Sequence, residues 1–350
     1  MSSQPLIEVA DLAKTFRVLE KKSGFLGGLR TLFSTDYREV HAVDGVSFTI
    51  APGELVGYLG PNGAGKSTTI KMLTGILHPS GGRVVVDGLV PYRERARNSR
   101  RIGVVFGQRS QLVYDLPPRD TFELLRKMYT IPRPRYEANL AHFTELLDLA
   151  ELLDRPARTL SLGERMRCEL VAALLHEPAI IYLDEPTIGL DVVARERVRE
   201  FIRHLNRERG TTILLTTHDL VDIEQLCRRV IIIDRGTVIY DGSLAEIKRR
   251  YGRRRTITFS ILDDADGAND VDGALAPERL AAELTTLGEG IAVERREDRS
   301  LAVGFDPRRV AASALTRHIV TRYPVADLTV AEPELAAIIR EIYASGVRDG

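Results

Sequence analysis

One short stretch, GPNGAGKST at residues 60–68, limits what this chain can become more than any other. It lies between an apolar run at residues 55–59 and a helix-like run at residues 69–77, and it places Gly60, Gly65, Lys66 and Ser67 at the fixed positions of G-x-x-x-x-G-K-[ST]. Strand before and helix after are the setting that pattern needs. Glycines there let the backbone turn so that successive N–H groups point inward at a helix N-terminus, where the helix dipole also favours negative charge. The loop from Gly60 through Asn62, Gly63 and Gly65 to Thr68 therefore reads as a cradle for phosphate groups. Lys66 is placed to reach the β- and γ-phosphates of a nucleotide, and the Ser67 hydroxyl to hold Mg²⁺.

Further along, residues 179–183, 212–216 and 230–233 are continuous apolar runs of the kind that form parallel strands covered on both faces by helices. A helical pattern over about 193–209 joins the first two into a β-α-β succession. Asp184 and Glu185 follow one of these strands, and Thr217, His218 and Asp219 follow the next. Both groups emerge at the carboxyl edge, where α/β sheets bind ligands and where the phosphate loop also leaves its strand. Convergence there permits a hydrolytic site: Asp184 to position Mg²⁺, Glu185 to orient or deprotonate water, and His218 to bond the γ-phosphate or the attacking water.

Charge and cysteine usage narrow the function classes. Lys plus Arg and Asp plus Glu both number 49, so no whole-chain field draws in nucleic acid, which is not expected as a partner. A chain of 350 residues, 44% hydrophobic and 28% charged, suits a globular protein with two cores. Cys168 and Cys227 lie in apolar or helical patterns without metal-type spacing, which suits buried thiols in a reducing compartment. No apolar run approaches roughly 18 residues and the N-terminus lacks a charged segment followed by an apolar one, so neither a membrane span nor a signal peptide is expected. The expected location is the cytoplasm.

The remaining pattern places a small β layer at the start, from loose alternation at residues 6–16 and a strand at 45–50. Between them, residues 21–37 set Phe25, Leu26, Leu29, Leu32 and Phe33 at helical spacing beside Lys21, Lys22 and Arg30. This amphipathic insert either packs on its own domain or docks to a membrane or partner. Strands are expected at residues 82–88 and 101–106. A helical stretch follows at 121–175, with Leu124, Leu125 and Met128 and then Leu140, Phe143, Leu146, Leu147 and Leu149 as its apolar stripes.

These motifs, with several more in a fixed order, resemble the ATP-binding-cassette ATPases over residues 7–242. LSLGE at 160–164 resembles the family signature LSGGQ, and it lies upstream of IIYLDEPT at 180–187, which resembles the Walker B strand. GLD at 189–191 is similar to the D-loop, Gln108 to the Q-loop glutamine, His218 to the switch histidine and Phe16 to the aromatic that stacks on adenine. The resemblance implies ATP and Mg²⁺ as cofactors, with Gln108 joining Asp184 and Ser67 at the metal and Glu185 and His218 in catalysis. It also implies a head-to-tail dimer with a second copy or a paralogous ATPase. ATP would lie between the phosphate loop of one subunit and the signature of the other, so that Ser161, Leu162 and Gly163 reach the γ-phosphate through a helix N-terminus, with Asp191 of the D-loop also binding. Leu162 stands where the signature has its first glycine, and Glu164 replaces its glutamine.

Past residue 250 no catalytic set is visible. Residues 249–255 (RRYGRRR) read as a basic hinge, either a solvated linker or a contact for anionic headgroups. The acidic run at 263–273 offers no calcium-loop register and reads as a solvated loop. Around it the pattern predicts a strand at 256–262, a helix at 277–287, a hairpin at 291–305, a helix at 308–323, a strand at 325–330 and a last helix with Leu335, Ile338, Ile339, Ile342 and Tyr343 on one face. The expected fold class is α/β: a P-loop nucleotide-binding domain over residues 1–250, with a parallel core sheet, an antiparallel β layer and a helical insertion at about 108–178, followed by an α+β accessory domain at 251–350. That extension resembles the one on ATPases of the ABC-2 class of exporters. The function implied is the ATPase subunit of a membrane exporter, held at the cytoplasmic face of the membrane by integral permease subunits. An importer ATPase and a soluble ABC protein acting on ribosomes or DNA are the alternatives.

Overall fold

The computed structural model describes residues 4–19, 37–107, 110–251, 255–261, 277–296, 300–332 and 335–345. The chain divides into two compact units, Met1–Ser243 and Leu244–Gly350.

The first unit opens with β1 (Ile7–Leu19) and β2 (Tyr37–Ile50), antiparallel partners from Ile7 with Ile50 out to Leu19 with Tyr37. β3 (Leu55–Leu59) then leads into the phosphate loop and α1 (Lys66–Leu73), and β4 (Gly81–Val86) returns to pair with β1. After the short α2 (Arg95–Ser99) and β5 (Ile102–Phe106) come α3 (Pro118–Met128), α4 (Arg133–Leu147) and α5 (Leu162–Leu174). The unit closes with β6 (Ile180–Asp184), α6 (Val192–Arg209), β7 (Thr212–Thr216), α7 (Leu220–Leu226), β8 (Arg229–Asp234) and β9 (Thr237–Ser243).

Two sheets result, one of order β2-β1-β4 and one of order β5-β6-β7-β3-β8-β9. In the larger sheet neighbours run parallel except for β9, which pairs antiparallel with β8. β7 is buried along its whole length and β6 up to its last residue, as strands covered on both faces must be, whereas β2 is exposed over its first five residues and alternates from Val46 to Ile50 as a strand with one face in water does. Phe48 and Tyr58 join the two sheets with ring centroids 5.8 Å apart, in a core shared with Ile7, Leu12, Val43, Ile70, Leu73 and Ile231. The Tyr58 hydroxyl is satisfied there by Thr69 at 3.2 Å. Cys168 and Cys227 are buried, and burial pushes the Cys168 thiol up to about 12.

Several expectations need correction. The second strand begins at Tyr37 rather than at residue 45, because residues 37–41 pair with the end of β1, so Tyr37 belongs to β2 and not to the insert. The rest of the insert, with its apolar residues, lies outside the described residues. The helical stretch is present between β5 and β6, but Leu124, Met128 and Leu146 face outward; α3 buries Thr121, Phe122 and Leu125, and α4 buries Tyr136, Asn139, Phe143 and Leu147. β9 was not anticipated, since Asp241 and Gly242 break its apolar pattern, and an edge strand with one neighbour tolerates both.

The second unit begins with α8 (Leu244–Tyr251), so Arg249 and Arg250 stand in a helix and not in a loose hinge, and Arg255 opens β10 (Arg255–Ile261). α9 (Pro277–Thr285), β11 (Ala292–Arg295), β12 (Ser300–Phe305), α10 (Ala312–Arg322), β13 (Val325–Ala331) and α11 (Leu335–Ser345) follow. Its sheet, of order β11-β12-β10-β13, is antiparallel throughout, and β10 to β13 make a β-α-β-β-α-β succession of the ferredoxin-like kind. Ile257, Phe259, Leu280, Leu284, Val303, Phe305, Leu315 and Ile319 form its core. α8 packs with α11, which buries Leu335, Ile338, Ile339 and Ile342. The acidic run at 263–273 lies outside the described residues.

Candidate nucleotide site

The loop after β3 earns its shape from sterics. Gly65 sits at φ +108°, and a Cβ there would lie 2.4 Å from the Ala42 carbonyl oxygen, so only glycine lets the β layer close over the loop. α1 starts directly after it, leaving the first N–H groups of that helix free to point at an anion. Lys66 is 8% exposed, and its Nζ donates to the carbonyls of Gly60 at 2.6 Å and Pro61 at 3.2 Å. Burial lowers its pKa from the usual lysine value, opposed by the carboxylates of Glu185 and Asp184.

A cavity of about 1000 Å³ opens over this loop, lined by residues 60–68 together with Ala42, Lys71, Ile76, Phe106, Gly107, Asp184, Glu185, Ile188 and His218. The strand order produces that gathering. β6 and β7 are neighbours and β7 adjoins β3, so Asp184, Glu185 and His218 all leave the same edge as the loop. Ser67 Oγ donates to Asp184 Oδ2 at 3.3 Å, and the other carboxylate oxygen accepts from Thr216 Oγ1. Glu185 N donates to Thr216 O at 2.9 Å, and Gly107 N donates to Asp184 O at 2.8 Å. Glu185 Oε2 lies 2.6 Å from His218 Nδ1 and also accepts from the backbone N–H of His218 at 3.4 Å. The carboxylate is mostly covered while the imidazole is exposed. A loop N–H nest beside a lysine, two carboxylates and a histidine can bind a polyphosphate and direct water at it.

The structure brings together Gly60, Asn62, Gly63, Gly65, Lys66, Ser67, Thr68, Asp184, Glu185 and His218. Gln108 lies outside the described residues. Phe16, on β1, is not among the residues lining the cavity; it sits half-exposed with the Lys14 ammonium 5.3 Å from its ring centroid. Ser161, Gly163 and Asp191 stand apart from the cavity but close to one another. Ser161 caps α5 by accepting from Glu164 N, and Glu164 reaches back to Ser161 N at 2.7 Å, a reciprocal cap that lowers the glutamate's pKa, mainly through that backbone N–H. Asp191 caps α6 by accepting from Ala194 N at 2.9 Å. A Cβ on Gly163 would lie 2.8 Å from Ala194 Cβ, so the two helix starts approach too closely for any other residue. Thr216 and Ala42 were missed; the one is the polar end of an apolar run, and the other contributes only backbone.

Leu162 opens α5, and its Cδ2 would lie 2.9 Å from a Cβ placed on Gly189, so its side chain covers the D-loop glycine. Leu162→Gly is expected to keep ATP hydrolysis within about threefold, because the helix-start N–H groups remain, while destabilising the unit by about 1 kcal/mol. Steady-state hydrolysis and thermal melting of the same preparation check this; loss of hydrolysis at unchanged melting temperature would give the side chain a direct role.

Comparison with known proteins agrees with this geometry. A family described as ABC transporter matches residues 43–188. The linearmycin resistance ATP-binding protein LnrL of Bacillus subtilis (strain 168) is 31% identical over 313 residues, 89% of this chain and 97% of that protein. The daunorubicin/doxorubicin resistance ATP-binding protein DrrA of Streptomyces peucetius is 33% identical over 300 residues, 85% of this chain and 87% of that protein. Among solved structures, an ATP-binding cassette in a dimeric post-hydrolysis state bound to ADP and Pi superposes with a TM-score of 0.56 at 25% identity, covering 68% of this chain and 98% of its own. The phosphate loop, the acidic and histidine loops at its rim and these relatives lead to one conclusion: the chain belongs to the ABC transporter family, as an ATP-hydrolysing subunit.

Proposed function

We propose that this chain drives an exporter, hydrolysing ATP at the cavity over residues 60–68 and passing the resulting motion to membrane-spanning subunits on separate chains. The observation that carries the chemistry is the convergence of Lys66, Asp184, Glu185 and His218 on that cavity. In this reading Lys66 and the loop N–H groups bind the β- and γ-phosphates, Glu185 orients and deprotonates the attacking water, and His218 holds the γ-phosphate. Ser67 Oγ and Asp184 Oδ2, 3.3 Å apart, are hard oxygen donors on one wall of the cavity and fit Mg²⁺, with Gln108 as a further ligand. When bound there, the ion would neutralise phosphate charge.

Phe16 would stack on the adenine. Ser161, Gly163 and Asp191 cluster away from their own phosphate loop, which supports completion of the site by a second copy or a paralogous ATPase packed head-to-tail. Among the described residues of the second unit no catalytic set is visible, and in this reading the unit is accessory. Export is supported by the resistance functions in the names of LnrL and DrrA, both of which match most of this chain. Among the described residues no helix is long and apolar enough to cross a membrane, and the proposal places the transport path in integral permease subunits that hold this chain at the cytoplasmic face. An affinity-tagged copy, purified from gently solubilised membranes of its own cells, is expected to bring a polytopic membrane protein with it in stoichiometric amount. Recovery with ribosomes or DNA instead would overturn the transport reading.

A further inference from the structure

Behind the contact between Glu185 and His218 lies a buried charged cluster that the chemistry above does not use. Asp222 on α7 is fully buried and Arg199 on α6 is 6% exposed. Arg199 Nε donates to Asp222 Oδ1 at 2.6 Å, and its Nη2 lies against the same oxygen. The other carboxylate oxygen accepts from two hydroxyls, that of Thr187, two residues past Glu185, and that of Thr217 at 3.5 Å, the residue before His218. One carboxylate therefore touches both loops that carry the site. The hold extends further: Thr217 Oγ1 accepts from Asp219 N at 3.0 Å, and the Asp219 carboxylate accepts from Arg195 Nη1 at 2.8 Å, with Arg199 Nη2 at 3.9 Å.

A buried ion pair is poor evidence for stability, because desolvating two charges costs about as much as their attraction returns. Local geometry gives this one another use. Glu185 sits at φ +57°, a left-handed backbone that a glutamate holds only where its surroundings enforce it. We propose that Arg199 and Asp222 are positioning residues: through Thr187 and Thr217 they lock the two loops together, so that the Glu185 carboxylate and the His218 imidazole face the same nucleotide at hydrogen-bond distance from each other. The inference rests on the roles assigned above to Glu185 and His218, and it assigns no contact with nucleotide to Arg199 or Asp222.

The test is the double variant Arg199→Met/Asp222→Leu in the full chain. Apolar residues of similar volume commonly replace a buried ion pair without loss of stability. The variant is expected to melt several degrees lower, because the buried Thr187 and Thr217 hydroxyls lose their acceptor, and to remain folded with its ATP affinity within about twofold, while kcat falls about tenfold or more at unchanged KM. Arg199→Lys, which keeps the charge but loses the fork, is expected to retain part of that activity. Parental kcat in the double variant, with Glu185→Gln still inactive, overturns the positioning role alone, whereas parental turnover in Glu185→Gln overturns the reading beneath it. If the double variant does not fold, Thr187→Val decides: it removes one hydroxyl at nearly constant shape, and a loss of about fivefold in kcat supports the lock while parental kcat overturns it.

Discussion

Glu185→Gln is expected to bind ATP as tightly as the parent chain and to hydrolyse it at less than about a tenth of the parental rate. The amide has the shape of the carboxylate and can still meet His218, but it cannot take a proton from water. The groups that bind phosphate keep their places, because Lys66 Nζ is held by the carbonyls of Gly60 and Pro61, and the Asp184 carboxylate still supports its charge when that of Glu185 is removed. A positioned general base contributes about 10² to 10⁴ in rate, or about 3–5 kcal/mol of barrier. Calorimetry of ATP binding and phosphate release measured on one preparation separate the two effects. Turnover above a tenth of the parental value would remove Glu185 from that role.

Lys66→Ala should fail in the opposite manner. Its charge serves the bound nucleotide and the transition state alike, so the first quantity to change is affinity, not the ratio between the two. Charge-assisted hydrogen bonds of this kind are worth about 1.5–3 kcal/mol, which predicts ATP binding weakened by roughly 10- to 150-fold. The side chain is 8% exposed and its stem fills space under the loop, so a melting curve must accompany the titration. Unchanged ATP affinity in a folded Lys66→Ala protein would mean that the loop's backbone alone binds the phosphates.

How much of this could be read beforehand depended on how local the signal was. The phosphate loop was legible because its residue types are dictated by the backbone they must adopt, as Gly65 under the Ala42 carbonyl illustrates. Asp184, Glu185 and His218 were legible because each follows a continuous apolar run whose period and length mark a central strand. Outward-facing leucines on α3 were not, since Leu124 and Leu125 are equally apolar and only the packing partner decides which of them is buried. β9 was hidden for a related reason: a strand with one neighbour needs less apolar pattern than a strand between two. Arg199 and Asp222 escaped because residues 23 apart, on two different helices, meet only after the sheet has formed.

The placement of β3 between β7 and β8 also bears on how the chain is born. β3 is an early strand, yet both of its hydrogen-bonding neighbours belong to residues 212–234, so it has no partner until synthesis has passed them. At ordinary elongation rates that interval lasts about 10 to 35 s. Until β7 is made a five-residue strand, four of whose residues are destined for burial, has both edges exposed, and for the first part of that time, before residues 184–185 are added, the phosphate loop behind it also lacks the carboxylates that complete it. Long-range pairing of this kind folds slowly and invites association between nascent chains. A ribosome-bound chain ending before β6 is therefore a natural client for chaperones, and it should not retain nucleotide however intact its glycine loop.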